Sequence, residues 1–175
     1  DVYSTLANLG VPSFAFINGL ALGGGLEIAL QSTYRTVSTA AGALALPEAF
    51  IGLIPGWGGV YILPRLIGPE NAVKVMIENP LSNNRTLTGP QAFKLGMADA
   101  IFEPADFVEQ SVAWAAQVIA GAVSPERANT VDPSTLELLD LLIDQTPTLR
   151  LFVVLTCRPT FRHSWGLRTH LTPLM

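Results

Sequence analysis

Residues 16–30 read FINGLALGGGLEIAL, and the change of pattern inside this stretch decides the fold. Ser13 to Ile17 (SFAFI) is a short apolar run entered through Pro12 and left through Asn18-Gly19, which predicts a buried strand. Leu26, Glu27, Ile28, Ala29 and Leu30 predict a short helix, and Gly23, Gly24 and Gly25 precede it. Lacking a Cβ, these glycines let a ligand approach the backbone closely. The free N–H groups of the helix start favour an anion there. A tight strand-to-helix turn that binds nothing accounts for the same residues. A dinucleotide fingerprint does not, because Ile28 stands where G-x-G-x-x-G needs its third glycine, and no Gly-Lys pair exists for a phosphate loop.

Outward from this stretch, Thr33 to Ser38 (TYRTVS) is β-branched and alternating and predicts a second strand. Glycine-punctuated loops follow around Gly42 and across GLIPGWGG, 52–59. Residues 69–78 predict a helix with Pro69 at its first position, where the missing N–H costs nothing. Thr88-Gly-Pro-Gln91 matches a capping box opening another helix that stops at Gly96. ADAIF, 98–102, predicts a strand, and Pro104 to Gly121 a helix with Val108, Val112, Ala115 and Ile119 on one stripe. Trp114 in that helix reads as core. Beyond Arg127 the character changes: a polar linker (128–135), a helix start at Asp132-Pro133, the helix LELLDLLID, and a buried strand RLFVVLTC at 150–157. The fold class is α/β, with two units expected, 1–127 and 128–175.

At 175 residues the chain is long enough for one sizeable core. It is 49% hydrophobic and 14% charged, against about 25% charged for an ordinary soluble domain. Such a surface is expected to be covered by oligomerisation or by a further portion of the protein. A net charge of -4 argues against nucleic acid. The single Cys157 forms no intrachain disulfide and suits a reducing cytoplasm. DVYSTLANLG is unlike a secretory signal, and no run of about 18 apolar residues predicts a membrane span. His163 and His170 have no Cys or acid at ligand spacing, so no metal is expected. Asp1 in place of Met fits a fragment or a processed product.

Glu27 and Glu48 each sit in an apolar run, where an unpaired carboxylate is costly. Two carboxylates in one dry pocket are expected to titrate as a coupled pair, one of them keeping its proton. That suits chemistry needing one acid and one base around a single water. Exposure, or pairing with Arg35 or Arg65, is the plainer expectation for either.

In that order, FINGLALGGGLEIAL, LPEAFIGLIPGWGGVYILPRLIG and TGPQAFKLGMADAIF closely resemble the crotonase superfamily. The likeness is strongest to enoyl-CoA hydratases and the hydratase parts of β-oxidation multifunctional enzymes, over residues 1 to about 121. It implies part of a ββα spiral, followed here by a helix-strand segment. It also implies that Gly24 donates one oxyanion-hole N–H to an acyl-CoA thioester. Glu27 would activate a water and Glu48 would protonate Cα, hydrating a trans-2-enoyl-CoA. Leu22, Gly23, Gly25, Pro47, Gly56 and Trp57 would border the substrate. The coenzyme A thioester is substrate, and no further cofactor is implied. Homo-oligomers, trimers or hexamers, are implied as well.

The chain departs from that pattern in places. One extra residue sits between the two glutamates, near Thr39 to Ala43, and Trp57 replaces a small residue. The family's first half, with its strands, coenzyme A contacts and second oxyanion donor, is expected to be missing, which predicts weak catalysis or none. The tail resembles the stretch after the Walker B motif of STAND-type regulatory ATPases, ending in Thr156-Cys157-Arg158-Pro159. With no phosphate loop or Walker B acids, no nucleotide binding is expected. A fusion or rearrangement near 128–131 is one origin of this tail, and a divergent segment packing over the core is the other. The alternatives to hydration are an isomerase or another enolate-stabilising acyl-CoA enzyme, and a non-catalytic fragment that self-associates. A serine peptidase of similar architecture lacks support, since no G-x-S-x-G is present.

Overall fold

Two strands and a helix, then two strands and a helical turn, make up the first half of the structure. Phe14–Ile17 is β1, Ala21–Leu22 is β2 and Gly24–Gln31 is α1; Tyr34–Ser38 is β3, Leu44–Ala45 is β4, and Pro47–Ile51 is a 3-10 turn. The computed structural model describes residues 5, 6 and 8–125. The tail 128–175, with its expected helix, strand, Cys157, both histidines and its ATPase likeness, lies outside the described residues. Next come α2 (Gly59–Ile67), α3 (Pro69–Val73), a π stretch (Lys74–Glu78), α4 (Asn79–Leu81), α5 (Gly89–Lys94), β5 (Ala100–Phe102) and α6 (Phe107–Ile119).

β1, β3 and β5 pair in parallel in that order, and β2 pairs in parallel with β4 in a second sheet. The first two turns of chain thus each give one strand to each sheet and then a helical segment, the α/β spiral expected from the sequence. Leu26, Leu30, Val37, Leu44, Leu46, Leu63 and Met76 fill the space between the layers.

The central strand β3 is buried along Arg35, Thr36, Val37 and Ser38. Arg35 is tolerated there because its donors are met. Nε reaches the Met97 carbonyl at 2.8 Å, and Nη1 reaches those of Ser32 at 2.6 Å and Leu30 at 3.2 Å. Nη2 lies 3.4 Å from Asp99 Oδ2, which also accepts the Arg35 N–H at 2.7 Å. A planar guanidinium can satisfy this many acceptors at once. Thr36 bonds the Ser111 hydroxyl of α6 at 2.7 Å.

Several expected elements shift. The strand expected at 98–102 begins at Ala100, because Met97 and Asp99 are taken up by Arg35. The helix expected over 69–78 runs on to Leu81 in helical conformation. Pro80 lacks the N–H that would bond back to Met76, and the π stretch directly precedes it. The last helix is shorter than 104–121, and three of its four stripe residues face outward: Val108, Val112 and Ile119 are exposed, while Ala115 is buried as expected. The face turned inward carries Phe107, Ser111 and Ala115, four residues apart. Ser111 is polar, so a count of apolar residues passes over it. Trp114 packs edge-on against Phe14 and Tyr34, with ring centroids 6.2 and 6.0 Å away. The expected capping box is formed, Thr88 and Gln91 each bonding the other's N–H, and Gly96 ends the helix at φ +85°.

Candidate active site

The β2–β4 pair ends at a common edge, with Ala21 beside Leu44 and Leu22 beside Ala45. One more bond, Gly23 N–H to the Ala45 carbonyl at 2.9 Å, carries the ladder to the first residue past β2. Beyond it Gly23 caps α1, and Leu46 precedes the turn holding Pro47 and Glu48. Consecutive turns of the spiral therefore deliver Glu27 and Glu48 to the C-terminal ends of one parallel pair, where α/β sheets commonly bind ligands.

Position 23 is suited to glycine by its backbone and brings the chain close to Glu48. Its φ is +52°, and a Cβ there would stand 2.9 Å from Glu48 Oε1. Gly25 differs: a Cβ at that position would meet no atom within 4 Å. The N–H groups of Gly24 and Gly25 fall in the first turn of α1, which has no intrahelical acceptor for them.

Glu27 is buried. Its Oε1 accepts the Trp57 N–H at 2.8 Å and the Gly59 N–H at 2.9 Å. Gly59 is the first residue of α2, so the carboxylate sits at a helix start, in charge-assisted hydrogen bonds. Gln31, the last residue of α1, donates Nε2 to the Trp57 carbonyl at 2.9 Å. Gly58 lies between at φ +114°, and a Cβ there would collide with the Gln31 amide nitrogen. Gln31, Gly58 and Gly59 do not stand out in the sequence. A signal existed, since Gln31 is four residues from Glu27 and shares its helix face.

Glu48 has a different environment. Its Oε2 is buried without a hydrogen-bond partner among the described residues. Burial pushes its pKa above the ordinary carboxylate value; its own backbone N–H works against this, and the negative charge of Glu27 adds to it. Arg35, a possible ion-pair partner by sequence, is engaged with Asp99. Arg65 stacks 3.5 Å over the Tyr61 ring.

Of the other residues expected at the substrate, Leu22 ends β2 with its side chain half exposed, Pro47 opens the 3-10 turn, and Gly56 is exposed beside Trp57. The Trp57 backbone serves Glu27, while its side chain is 56% exposed. Among the described residues, no three His, Cys, Asp or Glu side chains gather as a metal site. None of their helices is long and apolar enough to cross a membrane.

The raised pKa of Glu48 has a consequence for stability. The folded state holds this proton more tightly than the unfolded chain, so the contribution is present below about pH 4.5 and is lost as pH rises through the folded value. Glu48→Gln is therefore expected to raise the unfolding temperature at pH 7.5, with the gain shrinking at pH 4. Thermal unfolding at the two pH values checks this; a loss of stability at pH 7.5 would contradict it.

The enoyl-CoA hydratase/isomerase family model matches residues 1–135. The chain is 40% identical over 125 residues to the fatty acid oxidation complex subunit alpha of Pseudomonas syringae pv. tomato, a match covering 71% of this chain and 16% of that one. It is 40% identical over 108 residues to the glyoxysomal fatty acid beta-oxidation multifunctional protein MFP-a of Cucumis sativus, covering 62% and 14% respectively. The chain thus spans 14 to 16% of the length of these relatives. Among solved structures, the enoyl-CoA hydratase of Bacillus anthracis superposes with a TM-score of 0.61 at 25% identity, covering 84% of this chain and 58% of that one.

Proposed function

The chain belongs to the enoyl-CoA hydratase/isomerase family, and on that premise we propose that Glu27, Glu48 and Gly24 form the acid–base part of a site that hydrates a trans-2-enoyl-CoA. The observation that carries this is the contrast between the two carboxylates. Glu27 is held as an acceptor by two N–H groups, while Glu48 is desolvated, with one oxygen unpartnered among the described residues. Environments that differ in this way assign a base and an acid.

Glu27 takes a proton from water as the water oxygen bonds to Cβ. The Cα=Cβ electron pair shifts toward the thioester, placing negative charge on its oxygen. The Gly24 N–H, free at the start of α1, is directed at that charge. Glu48 then delivers its proton to Cα, and exchange with solvent resets both carboxyls. The absence of any packing need for a glycine at position 25 fits close approach of a ligand. Leu22, Gly23, Pro47, Gly56 and Trp57 would border the acyl chain. Neither a metal nor a redox cofactor enters these steps.

Two acidic groups in unlike environments favour hydration over isomerisation, which needs one group to move one proton. Phe50, Ile51, Leu20, Tyr61 and Trp57 are large apolar side chains left exposed, which supports a homo-oligomer or a covering segment.

Crotonyl-CoA tests the proposal, followed by loss of enoyl absorbance and by identification of the product. Formation of 3-hydroxybutyryl-CoA is expected. A shifted double bond without added water would support the isomerase instead, and no turnover at any concentration would sink both.

A further inference from the structure

We propose that Gln31 is a positioning residue for Glu27: its side-chain amide holds the loop whose N–H groups grip the catalytic carboxylate. This rests on the role of Glu27 given above. Glu27 and Gln31 lie four residues apart on α1 and so face the same way. Both side chains are buried, and both reach the same residue of the loop. Trp57 gives its N–H to Glu27 Oε1 at 2.8 Å, and its carbonyl accepts from Gln31 Nε2 at 2.9 Å. Its backbone is thereby held at both ends from one helix face.

The geometry needs this second hold. For the N–H groups of Trp57 and Gly59 to converge on a single oxygen, the chain between them turns through Gly58 at φ +114°. A glycine in that conformation has wide freedom of its own. The Gln31 amide occupies the space beside Gly58 where a Cβ would stand, so it fixes the turn by contact as well as by its bond. Burying an amide is costly unless it is bonded, and here the bond goes to the loop that orients the carboxylate. An apolar side chain of the same length would fill the space equally well. It would leave the Trp57 carbonyl without this donor and weaken the hold on the turn at Gly58.

Two variants of the full chain test this. Gln31→Met keeps length and removes the donor. Gln31→Glu keeps the shape and sets an acceptor against the Trp57 carbonyl. For each, kcat and KM for crotonyl-CoA are measured beside amide hydrogen exchange of the isotope-labelled protein. The expected result is kcat lower by about 10- to 100-fold with KM nearly unchanged. The Trp57 and Gly59 amides should exchange faster, while amides of β1 and β3 keep their protection. A folded variant with unchanged exchange at Trp57 and Gly59, or with unchanged kcat, overturns the inference. Should Gln31→Met fail to fold, the isosteric Gln31→Glu decides alone. Should the wild-type chain hydrate nothing, the proposed reaction fails, and the two amides still decide whether Gln31 holds the loop.

Discussion

Glu27→Gln is expected to lower kcat for crotonyl-CoA hydration by about 10²–10⁴-fold, with KM nearly unchanged. Glutamine keeps an oxygen facing the Trp57 and Gly59 N–H groups, so the loop stays in place. What is lost is the ability to take a proton from water as the new C–O bond forms. Glu48→Gln is expected to act similarly from the other side, by withholding the proton from Cα. On the proposed mechanism the two groups serve one reaction, so their effects are expected not to add, and the double variant should be little worse than either single one. Steady-state kinetics of the three variants checks this. Full activity in Glu27→Gln would remove the base from the mechanism.

The largest expected effect on stability lies away from these carboxylates. Arg35→Met is expected to cost about 3–5 kcal/mol, enough to leave much of a marginally stable domain unfolded. Methionine fits the volume of the stem but abandons Asp99, whose side chain is 9% exposed, and removes the donors to the Met97 and Ser32 carbonyls. Replacing Asp99 by Leu as well should restore part of the loss, since an apolar pair can stand in for a buried ion pair. The recovery should be incomplete, because Asp99 also accepts the Arg35 backbone N–H. Urea unfolding of both variants measures the difference. A cost for Arg35→Met below about 1 kcal/mol, the level of a surface ion pair, would contradict this account.

Much of this arrangement is legible in the sequence, and the parts that are not have a common cause. Strands β1 and β3, the glycine-led helix and the Thr88 capping box depend on short-range signals, and each forms close to where it is expected. The two glutamates stand out because a carboxylate in an apolar run calls for an explanation. The misses are polar residues whose partners are remote in the chain. Ser111 faces inward because Thr36 is there to meet it, 75 residues away. Arg35 is buried because Asp99 arrives 64 residues later. Gln31 reads as the polar end of a short helix until Trp57 is placed above it. Periodicity counted on apolar residues alone cannot register such pairs, so the stripe expected for α6 puts Val108, Val112 and Ile119 inside, where the structure exposes them.

The β2–β4 pairing also bears on how the site tolerates change in chain length. The two carboxylates are indexed to each other through hydrogen bonds from Ala21 and Gly23 to the Ala43 and Ala45 carbonyls, both at 2.9 Å. The connection from β3 to β4 enters that ladder only at Ala43; Ala40 and Gly42 in it are exposed, while Ala41 is buried and its carbonyl accepts the Gly89 N–H at 2.7 Å. An added residue beside Ala40 or Gly42 can therefore bulge outward while the bonds to the Ala43 and Ala45 carbonyls are kept. In this architecture the number of residues separating the two glutamates can change while the hydrogen bonds that index their strands to each other stay in place.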